Sequence, residues 1–121
     1  MKTLITSLLV VATIVVSAQS NQVQNANNYY RNQEYDKAKA SADAAAENET
    51  TKSSAKLWMY RGKIYQAIYE SKKPEVIKLD NEAQEKAALS YITCLKLDKE
   101  NVYKDEVKGL LVQACGSLLS I

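Results

Sequence analysis

Apolar residues recur at intervals of three and four along most of the chain, which is the spacing of amphipathic helices rather than of strands. The first such face carries Val23, Ala26, Tyr29 and Tyr30, and the polar tetrad 31–34 then predicts a turn. A second helix follows, and its narrow apolar face is almost entirely methyl groups, on Tyr35, Ala38, Ala42 and Ala45. Residues 48–51 predict a loop.

A third helix is predicted for LWMYRGKIYQAIY, residues 57–69, with Ser53 or Ser54 as its N-cap. Gly62 lies in its interior, where glycine costs about 0.5 to 1 kcal/mol relative to alanine. A helix that accepts this cost indicates a neighbour packed too closely for a side chain. We therefore expect Gly62 to face another helix, and we expect Gly62→Leu to overpack that contact.

Two further helices are predicted beyond Pro74, which breaks the apolar pattern. Asp80 is the predicted N-cap of the fourth helix. Its inner side carries Ala87, Ala88, Tyr91, Cys94 and Leu95. A fifth helix begins after residues 99–101. The sequence thus predicts an all-α domain.

Small and aromatic residues repeat along these helices. Ala26 and Tyr29 of the first helix recur as Gly62 and Tyr65 of the third, 36 residues later. The alanine pattern of the second helix recurs in the fourth after 49 residues, and the difference of 49 − 36 = 13 residues measures an insertion near the proline. The spacing from Gly62 to Gly109 is 47, which is 34 + 13. The unit is therefore 34 residues long.

This unit, Trp-x-x-x-Gly-x-x-Tyr followed by Ala-x-x-x-aromatic-x-x-small, resembles the tetratricopeptide repeat. The residues that carry the resemblance are Trp58, Gly62, Tyr65, Ala87, Tyr91 and Cys94. It implies a solenoid of antiparallel helix pairs with about two and a half repeats, at about 19–52, about 55–101 with an insertion at 71–81, and 102–121. Family positions usually held by Leu, Pro and Tyr carry Arg61, Lys99 and Val112. A helical bundle with an accidental repeat is the alternative.

The resemblance also implies a site. In this family the first helix of each repeat lines a concave groove that holds a protein or peptide partner. The matching partner-binding positions here are Asn27, Tyr30, Arg31, Met59, Lys63 and Gln66. Arg31 and Lys63 would add charge selectivity. An ordinary solvated helix face is the alternative for each position.

The last predicted helix is unusual, because residues 109–121 carry no charge and are apolar on more than one face. The apolar side chains there include Leu110, Leu111, Leu118 and Leu119. A solenoid needs a terminal helix with a polar outer face. We expect this surface to be covered by a further part of a longer protein, by another chain, or by self-association. The first is favoured because the third repeat stops halfway.

The N-terminus has the pattern of a secretory signal peptide, residues 1–18. Lys2 is followed by 13 apolar residues, LITSLLVVATIVV, and by small residues ending at Ala18. The apolar run is shorter than the about 20 residues of a membrane span. We therefore predict cleavage, a domain at 19–121, and an exported, periplasmic or extracellular protein without stable membrane insertion.

Composition narrows the function further. Of 16 basic residues, 15 remain after residue 18, against 14 acidic ones, and the two signs are interspersed, which does not suggest nucleic-acid binding. The chain has no histidine, the commonest general base and transition-metal ligand. We therefore expect no catalysis, metal or cofactor. Asp80, Glu82 and Glu85 cluster near the start of the fourth helix, and we expect them to be solvated.

The two cysteines, Cys94 and Cys115, are expected to be free and mostly buried thiols. On antiparallel helices Cys115 lies about 13 Å beyond the position opposite Cys94, whereas a disulfide needs Cα atoms within about 7 Å. Their redox state is otherwise open.

The expected function is a non-catalytic scaffold or protein-interaction module of the cell envelope. The alternatives are the N-terminal part of a longer exported protein whose enzymatic or ligand-binding activity lies downstream, and a structural helical subunit.

Overall fold

The computed structural model describes the backbone of residues 21–119 and the side chains of residues 21–116. This part of the chain is helical and contains no strand. Helix α1 occupies 21–31, and the others are α2 (Tyr35–Glu47), α3 (Ala55–Glu70), α4 (Pro74–Ile77), α5 (Ala83–Leu97) and α6 (Lys104–Leu119). The all-α prediction is confirmed. The predicted signal peptide lies outside the described residues.

Several helix ends follow from local sequence. Gln33 adopts a left-handed φ of 62° in the turn between α1 and α2, where a polar tetrad predicted a turn. The Ser54 hydroxyl accepts a hydrogen bond from the Leu57 backbone N–H at 3.3 Å, so Ser54 is the N-cap of α3. The start of α6 is held by Asp98, whose carboxylate accepts from the N–H groups of Val102 and Tyr103.

The prediction for the start of α5 was wrong. The helix begins at Ala83, with Glu82 rather than Asp80 at the N-cap. The Asp80 carboxylate instead accepts from the Glu82 N–H at 2.8 Å and binds the Lys86 ammonium. Its side chain is only 7% exposed, so the expectation that it is solvated was wrong as well. The reason is that Asp80 folds back onto α5 as part of a turn.

The insertion at 71–81 folds into a short helix rather than an open loop. Pro74 occupies the first turn of α4, where its missing N–H leaves no bond unmade. Val76 and Leu79 are partly buried against the core, while Ile77 is exposed. The insertion is therefore anchored to the domain through its own apolar side chains, and α4 contacts α3.

Helix α3 is the centre of the packing. It packs most extensively against α5 and next against α2, while α6 packs against α5 and touches α3. The connected core takes small residues from α1 and α2 and large ones from α3 and α5; these are Ala26, Ala38, Ala42, Met59, Ile64, Tyr65, Ile68, Ala83, Ala87, Tyr91, Cys94, Val107 and Ala114. Alanines on one helix thus leave space that tyrosines on its neighbours fill.

The glycine of α3 faces the Tyr91 ring of α5. A Cβ placed at Gly62 would lie 2.5 Å from Tyr91 Cδ1 and closer still to Cε1. No real Cβ approaches a ring atom so closely, and the ring is fully buried. The expectation that Gly62 permits close packing of a neighbouring helix is therefore confirmed.

A polar cluster joins α2, α3 and α5 on another side of α3. Both carboxylate oxygens of Asp43 lie within 2.8 Å of the Tyr65 hydroxyl, and Oδ1 also accepts from Arg61 Nε at 3.2 Å. Arg61 Nη1 donates to the hydroxyl of Ser90 at 2.8 Å. Its guanidinium carbon lies 4.9 Å from the Tyr65 ring centroid. Arg61 can therefore occupy an inward position because its charge is paired.

Candidate partner-binding groove

Helices α1, α3 and α6 together line a groove of about 380 Å³. The first contributes Tyr30, the second contributes a row of side chains along one face, and the third contributes the opposite wall. Tyr91 of α5 lies at the groove floor. The complete lining is Tyr30, Lys63, Gln66, Ala67, Glu70, Tyr91, Glu106, Leu110 and Gln113.

The groove floor is organised by Gln66, which is only 6% exposed. Its carbonyl oxygen accepts a 2.6 Å hydrogen bond from the Tyr91 hydroxyl, and its amide nitrogen donates to Glu70 at 2.9 Å. Burial raises the pKa of Tyr91, so its hydroxyl remains a donor well above neutral pH. Because Tyr91 is also the ring against Gly62, the floor is fixed by the same close packing that requires the glycine.

The groove wall contains an ion pair between α3 and α6. Lys63 Nζ lies 2.8 Å from Glu106 Oε1, and the Lys63 side chain is 24% exposed. Glu70 is exposed and adds a second carboxylate. The two carboxylates and one ammonium give the lining a formal charge of 1 − 2 = −1. The slight positive bias expected of Lys63 is therefore reversed within this groove.

Of the six predicted partner-binding residues, the structure brings together Tyr30, Lys63 and Gln66. Asn27 is half-buried on α1. Arg31 is exposed and lines a different, shallow polar depression with Asn28 and Asn32. The two cationic positions therefore do not face one cavity.

The expected exposure of Met59 and Gln66 was wrong. Met59 is 6% exposed and belongs to the apolar core. An unbranched apolar side chain on the helix at the centre of the packing is covered by its neighbours. Gln66 is equally buried but retains its place in the groove, because polar partners on α3, α5 and α6 surround it.

The apolar C-terminal face is partly covered by the chain itself. Leu110 and Leu111 are half-buried and pack against the core, and Leu110 also lines the groove. Val112 is 70% exposed. The side chains of Leu118 and Leu119 lie outside the described residues. The expectation of a bare apolar face is thus wrong for Leu110 and Leu111.

The groove residues that the prediction missed lie mainly on α6. Adding the 47-residue spacing between Gly62 and Gly109 to positions 59, 63 and 66 gives 106, 110 and 113. Glu106, Leu110 and Gln113 all line the groove. The signal was therefore present in the sequence, but it requires extending the register into the last helix.

Both cysteines are free thiols, as expected. Cys94 is fully buried in the core, and burial raises its pKa to about 11. Cys115 is partly buried. Among the described residues there is no group of three or more His, Cys, Asp or Glu side chains arranged to hold a metal ion. No helix in the same part of the chain has the length and apolar character of a membrane span.

Comparison with known proteins adds no relative. No protein-family model matches the chain, and neither the curated proteins nor the solved structures give a significant match.

Proposed function

We propose that this chain is an exported, non-catalytic interaction module of tetratricopeptide type, and that its groove holds a segment of a partner protein. The carrying observation is that α1, α3 and α6 line one cavity. These helices are the first members of the three predicted repeat units, which in such an array share the concave face. The pairing of α3 with α5, and the stacking of α2 on α3 and of α6 on α5, support the same arrangement.

The chemistry of the lining suits a peptide segment. Tyr30, Ala67 and Leu110 offer apolar surface, whose burial would drive association. The amides of Gln66 and Gln113 can exchange their mutual contact, 3.5 Å long, for hydrogen bonds to a peptide backbone. Most lining side chains are tied by hydrogen bonds or by the ion pair, so little side-chain freedom would be lost on binding.

Export is part of the proposal and is supported by the signal-peptide pattern at 1–18. An exported chain would meet partners in the periplasm or outside the cell. The function proposed is to position another protein there, as a scaffold or as one subunit of an envelope complex.

Filling the groove tests this function. Ala67 lies between α1 and α6 in the lining, so Ala67→Trp should occupy the space of a partner side chain without changing charge. We expect the tagged full chain to lose its co-purifying partner from its own host, with at least about a tenfold lower yield. The matched control is Ala44→Trp, which places the same ring on an exposed position of α2. Equal partner recovery with both variants would contradict the proposal.

A further inference from the structure

The groove continues beyond α1 toward the insertion. A cavity of about 330 Å³ shares Ala67 and Glu70 with the groove, and a third of about 370 Å³ adjoins that cavity along Tyr35 and Lys73. We call these two cavities the insertion arm. Its lining comes from the start of α2 and from residues 71–79; it consists of Gln33, Tyr35, Asp36, Ala67, Glu70, Ser71, Lys73, Glu75, Val76 and Leu79.

The tyrosines mark the junction between groove and arm. The Tyr30 ring lines the groove, the Tyr35 ring lines the arm, and their centroids are 6.2 Å apart. An extended segment that leaves the groove over Ala67 would therefore pass along a continuous aromatic edge. The arm is preformed, because Val76 of α4 is packed against the core.

Charge in the arm is strongly one-sided. Asp36, Glu70 and Glu75 face a single ammonium, that of Lys73, which gives a formal charge of 1 − 3 = −2. Asp36 and Glu75 are exposed, and within the described part of the chain neither takes part in an ion pair. The whole domain from residue 19 has a formal charge of 15 − 14 = +1. The acidic arm is therefore a local feature rather than a consequence of overall composition.

We propose that the insertion arm is a specificity subsite, and that it binds the basic part of an extended partner segment carrying lysine or arginine. The inference rests on the proposed function of the adjoining groove. Lysine and arginine suit this lining because their aliphatic stems can lie on Tyr35 and Val76 while their charged ends reach Asp36 and Glu75. Complementary charge would also speed association and reject acidic segments.

Two displayed peptide libraries test the subsite on the full chain. Both hold random peptides of about ten residues, long enough when extended to reach from groove to arm. One contains Lys and Arg among Ala, Leu, Tyr, Gln and Ser, and the other contains Asp and Glu in their place. We expect selection to enrich binders from the basic library only, and Ala67→Trp to abolish their binding.

Charge reversal in the arm provides the quantitative test. The double variant Asp36→Lys with Glu75→Lys should weaken the selected basic peptides at least about tenfold, measured by fluorescence anisotropy. The matched control is Asp105→Lys with Glu100→Lys. Asp105, like Asp36, is an exposed acid in the first turn of a helix, and Glu100 is an exposed acid in a turn, so this pair changes net charge equally.

The outcomes separate the subsite from the groove. Peptides that lose binding with Ala67→Trp but carry no basic residues, or that bind both charge variants equally, would overturn the subsite and leave the proposed groove function standing. Peptides that are insensitive to Ala67→Trp, or the absence of any binder, would contradict the groove and the subsite together.

Discussion

Gly62→Ala is expected to lower the free energy of unfolding by about 1 to 2 kcal/mol, although alanine is the better helix former. The new methyl carbon would have to lie 2.5 Å from Tyr91 Cδ1, so the ring must move. Overpacking of this kind costs about 1 to 3 kcal/mol, and it outweighs the gain of about 0.5 to 1 kcal/mol in helix propensity. Gly62→Leu should cost more, because a larger side chain meets the same ring.

Gly109→Ala is the matched control, since Gly109 also lies within a helix but has no neighbouring atom within 4 Å of the point where an alanine methyl carbon would lie. It should raise the free energy of unfolding by about 0.5 to 1 kcal/mol. Urea unfolding followed by circular dichroism measures both variants. If Gly62→Ala stabilises the protein as much as Gly109→Ala does, then Tyr91 does not pack on the glycine.

Asp43→Ala is expected to destabilise the domain by about 2 kcal/mol. The substitution leaves the hydroxyl of Tyr65, a fully buried residue, without its acceptor, and it unpairs the half-buried Arg61 guanidinium. A buried polar group that loses its partner costs about 1 to 3 kcal/mol. The Asp43 side chain is itself 34% exposed, so water replaces part of the lost interaction.

Two variants separate this effect from a general loss of charge. Tyr65→Phe removes the donor but leaves Asp43 paired with Arg61, so we expect a smaller loss of about 1 kcal/mol. Glu47→Ala removes an exposed carboxylate from the same helix and should change stability by less than about 0.5 kcal/mol. If Asp43→Ala is no more destabilising than Glu47→Ala, the polar cluster contributes nothing to stability.

Much of the fold could be predicted from periodicity, because each long helix presents one apolar face to the core. The apolar face of α1 and the alanine face of α2 were both predicted, and Ala26, Ala38, Ala42 and Ala45 are buried. Gly62 was informative because its cost within a helix demanded a tertiary explanation. Tyr91 then proved to be the neighbour that occupies the space.

The errors arose where tertiary contacts decide. Met59 has the register of a groove position but is covered by the core, and register alone does not state which neighbour lies over a side chain. Asp80 has the composition of an N-cap but pairs with Lys86. The partners of Arg61 are 18 and 29 residues away in sequence, so a local pattern could not identify them.

The candidate groove was predicted only in part. Tyr30, Lys63 and Gln66 followed from the repeat register, and the α6 wall would have followed from extending it. The insertion arm could not be predicted in this way, because the insertion has no counterpart in the first repeat. Its wall depends on how Val76 and Leu79 pack, which only the structure gives.

The groove proposal is tested most directly by site-specific photo-crosslinking in the host. A photoreactive phenylalanine analogue would be placed at position 67, in the groove, and separately at position 44, on the exposed surface of α2. The account predicts one discrete adduct from position 67 and none from position 44, with the crosslinked segment of the partner carrying basic residues. No adduct at position 67, or the same adducts from both positions, would contradict it.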